Sequence, residues 1–294
     1  MEYSNRNKQE IGKRFTARWP FFLIGISAVF LLVSGIKLMN YYDSYAEEAA
    51  LNDKLQEIKN GIGATASSNS NVADKMPGNS DEAVNDGLQA LSPLEQSALL
   101  KDTMVTMNPD YVGWLEIAET SISYPVVFRN NDYYINHDFE GKQNSHGTIF
   151  LDETCNEESL IWLIHGHHMK DGTMFAGLSK YKNKEYLQNH IRIGFDAGEG
   201  VETYRVYAAA LIDFSSETPE KPAFHYEKLP GDAEEYAQWQ VLLRQNSYWY
   251  DDTWAVPDTE TENGGLPDVL VLSTCEYGTQ LQRLIVVAVR DGAY

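Results

Sequence analysis

The sequence predicts a mainly β domain, a closed or nearly closed β-barrel with helices packed on its outside, preceded by a membrane-spanning helix and a linker. Three observations predict it. Short apolar runs separated by polar or glycine-containing segments recur beyond Asn108, which is the pattern of many strands. Only two helical patches interrupt them, and many strands with few helices suggest a barrel with helices packed outside. Near the N-terminus, Trp19 to Ile36 is an uncharged, mostly apolar run long enough to cross a bilayer as a helix.

The N-terminal elements follow from charge and composition. Arg6, Lys8, Lys13, Arg14 and Arg18 precede the apolar run against only Glu2 and Glu10, and an acidic stretch, Asp43 to Glu48, follows it. The positive-inside bias therefore assigns residues 1–18 to a cytoplasmic tail, 19–39 to a transmembrane anchor, and everything beyond to the outer face. Asn40, Tyr41 and Tyr42 do not make a small-residue cleavage site, so the anchor is read as uncleaved, single-pass and in the cell membrane. Residues 40–82 read as stalk and linker. Leu51, Leu55 and Ile58 fall at helical spacing among charges, a solvated helix acting as a spacer, and Asn60 to Ser80 is rich in Gly, Ser and Asn, the composition of a flexible linker. A domain of residues 83–294 is then expected, and removing residues 1–82 should leave it soluble and folded.

Within that domain, Ala83 to Met107 predicts one or two short helices broken near Ser92 and Pro93. Strands are predicted over Gly113–Ile117, Ile122–Phe128, Thr148–Leu151, Leu160–Ile164, Ile191–Phe195 and Val201–Phe214, with helical patches at Met174–Gln188 and Ala233–Gln245. Two further buried strands come from Asp268 to Arg290, where the apolar runs Val269–Leu272 and Leu284–Val289 flank the turn-prone Glu276 to Thr279. The formal charge of -20 excludes a nucleic-acid binder, because no basic face is left to neutralise phosphate. Only Cys155 and Cys275 are present, so no disulfide framework stabilises the fold.

Chemistry concentrates at two strand ends. Cys275 stands at the lip of the first C-terminal strand, and Arg283 begins the second, where it can return beside the sulfur and favour thiolate, the reactive form. A lone cysteine is more often a small buried hydrophobe. The strand in LIWLIHGHHMKDGTMF runs into His165, His167 and His168. A metal site is disfavoured: neighbouring histidines at one strand end do not all point inward, Met169 stands where an HxHxDH site has aspartate, and no partner cluster completes the ligands. Structural histidines and a general acid/base partner for Cys275 remain as readings.

The segments NPDYVGWLEI, YPVVF, NDYYINHDF, GTIFLD, HGHHMKDGTMF and LSTCEY followed by an arginine, in that order between Asn108 and Val289, make the chain resemble the class B sortases, membrane-anchored cysteine transpeptidases of Gram-positive bacteria. LSTC matches the family's TLxTC signature with Val271 in place of its leading threonine. The resemblance implies that Cys275 is the nucleophile, His167 the catalytic histidine and Arg283 the catalytic arginine. It implies substrate-pocket roles for Ser273, Glu276 and Asn131. No metal or other cofactor is expected. Implied partners are secreted proteins bearing a C-terminal sorting signal, an accepting amine from a peptidoglycan cross-bridge or a pilin lysine, and the membrane itself. His165 stands where relatives often have tyrosine, His168 where they often have asparagine, and Cys155 where they often have arginine.

The rivals are distinguishable. A cysteine peptidase or hydrolase would use the same Cys and His with water as the second nucleophile. A papain-like order puts Cys before His, the reverse of this chain. Ser145, His146 and Gly147 echo the SHG element of L,D-transpeptidases, which continue with a cysteine where this chain has Thr148. An inactive membrane-tethered binding module is disfavoured by the joint presence of Cys275, His167 and Arg283.

Overall fold

The computed structural model describes residues 2–70, 91–156, 159–215, 217–218, 223–255, 268–275 and 281–291. By contact it separates into Met1–Glu47 and Glu48–Tyr294. The first unit lies within helix α1 (Glu2–Ser70), whose segment beginning at Phe22 is a candidate membrane span with no part of its apolar window buried.

In the second unit, one sheet holds all the named strands of the described residues: β1 (Tyr111–Glu116), β2 (Ser123–Phe128), β3 (Ile149–Leu151), β4 (Ile161–His165), β5 (Arg192–Asp196), β6 (Val201–Asp213), β7 (Ser247–Tyr250), β8 (Val269–Cys275) and β9 (Gln282–Arg290). Their order is β5-β1-β2-β3-β4-β8-β9-β6-β7, and β5 also pairs with β6. That last pairing closes a ring of every strand except β7, so the predicted closed barrel is what forms. Closure removes the free edges that an open sheet would leave. Val126, Leu163, Ile164, Ala208, Leu270 and Ile285 belong to its fully buried core.

β8 and β9 are buried from Val269 to Thr274 and from Leu284 to Val289, which explains why they read as continuous apolar runs. Helix α2 (Pro93–Met107) starts where the sequence broke: Ser92 accepts from Glu95 N–H, and the Glu95 side chain reaches back to Ser92 N–H. The patch at Met174–Gln188 is not one helix. It is a 3-10 helix, Phe175–Lys182, followed by the short α3 (Lys184–Leu187), which restarts because the Asn183 side chain caps it. Helix α4 (Ala233–Asn246) buries Tyr236, Trp239, Gln240 and Leu243, one face at helical spacing. The short α5 (Asp252–Ala255) follows β7.

The stalk departs from expectation. α1 runs through the glycine-containing stretch to Ser70, and Leu51 and Leu55 are buried with Leu100, Met104, Tyr111 and Trp114, with Ile58 and Ile62 packed alongside. Residues 48–62 therefore pack as part of the folded unit and are not a solvated spacer. The apolar stripe that looked sparse among charges has a barrel wall and α2 to cover it, and packing overrides the poor helix propensity of Gly61 and Gly63. The remainder of the expected linker, and the expected boundary near 82, lie outside the described residues.

Candidate active site

The site forms where two strands point the same way. β4 and β8 are parallel neighbours, with Ile161 opposite Val269 and His165 opposite Ser273, so their C-terminal ends emerge together. β9 returns antiparallel to β8 with Arg283 opposite Cys275. Cys275 is half-buried at the end of β8, and the two residues before it are sealed into the sheet. A rigid, doubly flanked strand thus aims the sulfur.

The histidine loop is tied to the same strand. Gly166 N–H donates to the Ser273 carbonyl at 3.1 Å, and the His168 Nδ1–H donates to the Cys275 carbonyl, also at 3.1 Å. His167, between these ties, lines the same cleft as Thr274 and Cys275. Only glycine fits at 166: a Cβ there would stand 2.5 Å from Ile149 Cδ1 and 2.7 Å from the Phe175 ring. The His167 Nε2 lies 2.7 Å from the Ile135 carbonyl oxygen. A carbonyl only accepts, so Nε2 carries a hydrogen, and Nδ1 is the ring's other nitrogen.

A cavity of about 370 Å³ opens here, lined by Asn131, Ile135, His165, His167, Cys275 and Arg283, and by Asp152, Phe214, Tyr226 and Ser273 among others. Of the sequence-predicted residues, the structure brings His167, Cys275, Arg283, Ser273 and Asn131 into this one cleft. Glu276 lies outside the described residues. Ser273 is buried, its Oγ 2.8 Å from the Tyr226 hydroxyl. Burial pushes that phenol up to about 12, so it stays protonated.

Asn131 enters through a polar network. Its Nδ2 donates to Asp152 Oδ2 at 2.9 Å, and the same oxygen lies 2.8 Å from His165 Nε2. Burial works against the Asp152 carboxylate, but hydrogen bonds from His165 and Thr154 outweigh it and hold the carboxyl well below its ordinary range. His165 thus faces an ionised partner instead of serving Cys275 directly. Asp152 and Tyr226 escaped the sequence reading. Asp152 closes the GTIFLD segment and was in view without a role; Tyr226 sits in a stretch with no periodicity, and nothing local marked it.

The histidine-bearing and cysteine-bearing strand ends, with an arginine in register, sit within a stretch, residues 115–291, that matches the sortase domain family. The chain belongs to the sortase family. Sortase B of Listeria monocytogenes is 33% identical over 178 residues, 58% of this chain and 64% of that protein. Sortase B of Staphylococcus aureus is 29% identical over 193 residues, 64% of this chain and 72% of that one. These likenesses put the sortase in class B. The chain spans somewhat less than two thirds, 64%, of the Listeria relative's length. Its barrel is similar to the solved Staphylococcus aureus sortase B–substrate complex, with a TM-score of 0.55 at 27% identity over 66% of this chain and 85% of that one. Among the described residues, no group of His, Cys, Asp and Glu could hold a metal ion.

Proposed function

We propose that the protein is a cysteine transpeptidase that cleaves a C-terminal sorting motif of secreted proteins and transfers the acyl group to an amine of the cell wall or of a pilin subunit. The observation that carries this reading is the alignment at one cleft of Cys275 opposite Arg283, with His167 lying between Gly166 and His168, which donate to the Ser273 and Cys275 carbonyls. The Cys275 thiolate attacks the carbonyl carbon of a threonine in the motif. The C–N bond breaks, the His167 imidazolium gives its proton to the departing amine, and a thioester remains. An incoming amine then attacks the thioester carbonyl, yields a proton to His167, and releases the sulfur as thiolate. Arg283 offers a planar fork of donors to the substrate backbone or the developing oxyanion. Asn131, Ser273 and Glu276 are assigned to the substrate pocket.

The anchor supports a location to match: residues 1–18 inside, a single span at 19–39, and the catalytic domain on the outer face, where a secreted protein and the wall meet. The test is mass spectrometry of the full chain with sorting-motif peptides and amine acceptors. A Cys275-linked acyl adduct that is resolved by added amine, and absent from Cys275→Ala, is the expected result. Products carrying only water, whatever amine is supplied, would instead make the protein a hydrolase.

A further inference from the structure

Ser145, His146 and Gly147 form a turn that the active site has not so far required, yet it touches the histidine loop from two directions. His146 is fully buried, and its Nε2 lies 2.8 Å from Asp171 Oδ2. Asp171 belongs to the same loop as His167, four residues farther on. Burial works against its carboxylate, but donors from Thr173 and His146 outweigh it and hold it below its ordinary range, so it is an acceptor and Nε2 is the donor. The other Asp171 oxygen accepts from Thr173 N–H at 3.0 Å and Thr173 Oγ–H at 2.6 Å, which folds the loop tip onto the carboxylate. At the stem, Phe175 N–H donates to the His167 carbonyl at 2.9 Å. The loop is therefore pinned at both ends.

The second route runs through Gly147. It adopts φ +62, and a Cβ there would stand 2.4 Å from the Tyr134 carbonyl oxygen and 2.7 Å from that of Ile135. The turn is thus seated directly on the carbonyl that holds His167 Nε2 at 2.7 Å. Thr148 N–H extends the same seat by donating to the Tyr134 carbonyl at 2.9 Å. One short turn supports both the imidazole's hydrogen-bond partner and the loop that carries the imidazole.

We propose that His146 is a positioning residue for His167, fixing the loop through Asp171 while the adjoining Gly147 turn seats the Ile135 carbonyl. The proposal rests on reading His167 as the acid/base of acyl transfer. Asp171→Ala and His146→Ala should each lower kcat for a sorting peptide about 10-fold to 100-fold, the cost of a displaced catalytic group, with KM little changed. His146→Gln, whose amide can still donate to Asp171, should retain most of kcat. Imidazole nitrogen resonances of the full chain in nanodiscs, with His167 assigned through His167→Ala, should move for His167 in Asp171→Ala and stay in place in His146→Gln. Should His146→Ala fail to fold, Asp171→Asn, which leaves the buried imidazole and the local shape, takes its place and should give an intermediate loss. Unchanged kcat and an unmoved His167 resonance in Asp171→Ala would overturn the proposal, as would equal losses in His146→Gln and His146→Ala. A wild-type chain that turns over no sorting peptide would refute the transpeptidase reading alone, and the His167 resonances would still decide whether His146 positions that ring.

Discussion

Cys155 is sealed beside β4: Leu163 N–H donates to its sulfur at 3.4 Å, and its thiol faces the Ile161 carbonyl at 3.7 Å. Burial above all, with Asp152 adding to it, pushes this thiol up to about 11. A thiol protonated at neutral pH and cut off from solvent does not compete as a nucleophile. At pH 7, iodoacetamide should therefore modify Cys275 and spare Cys155, read as a single adduct by intact mass. Cys155→Ala should keep most activity while Cys275→Ala loses it; the reverse pattern would overturn the assignment of the nucleophile. Arg283 is tested by geometry, since lysine keeps the charge but not the planar fork. Arg283→Lys should retain much of the alkylation rate of Cys275 yet lose about 10²-fold to 10³-fold in peptide turnover. Near-normal turnover would leave Arg283 a general electrostatic role only.

At the scale of elements, the part of α1 beyond the apolar segment carries an unusual group. Glu48 is buried, and burial first, then the neighbouring Asp138, pushes its carboxyl up from 4.5 to about 8. The folded state thus holds this proton more tightly than the unfolded chain does. Its contribution to stability is fully present below pH 4.5 and is lost as pH rises towards about 8. Glu48→Gln should flatten the fall in thermal midpoint across that window and raise the midpoint at pH 8; parallel curves for the two proteins would show that Glu48 is not docked. Truncation reports on the same element. A fragment starting at residue 83 forfeits the burial of Leu51 and Leu55, about 3 to 6 kcal/mol at roughly 1.5–3 per leucine, relative to one starting at Glu48. Equal denaturant midpoints for the two would restore the spacer reading. The strands were legible because a closed barrel with covered walls writes apolar runs into the chain, and the Cys275–Arg283 pairing could be anticipated from the few residues that separate two such runs in the sequence. The docking of α1 was not legible, because a stripe of Leu51, Leu55 and Ile58 looks the same whether or not a distant wall covers it. β7 was missed for a related reason: SYWY follows α4 without a break and owes its strand conformation to pairing with β6. His167's tie to Ile135 joins residues 32 apart in sequence through backbone, which no side-chain pattern encodes.

For the whole molecule, the decisive quantity is which face of the membrane the cleft sees. Five basic residues before the apolar run, against Glu2 and Glu10, and the acidic stretch after it bias residues 1–18 inward. The sheet has no say in this, because the parallel β4 and β8 fix the cleft relative to the barrel and not to a bilayer. A membrane-impermeant maleimide applied to intact cells separates the outcomes, since Cys155 is silent and Cys275 reports the cleft. The expected result is labelling of Cys275 on intact cells, lost in Cys275→Ala. A thiol introduced in the tail by Ser4→Cys in the Cys275→Ala background should label only after the membrane is opened. Labelling of Ser4→Cys on intact cells, with Cys275 protected until lysis, would invert the topology and remove secreted proteins from the enzyme's reach.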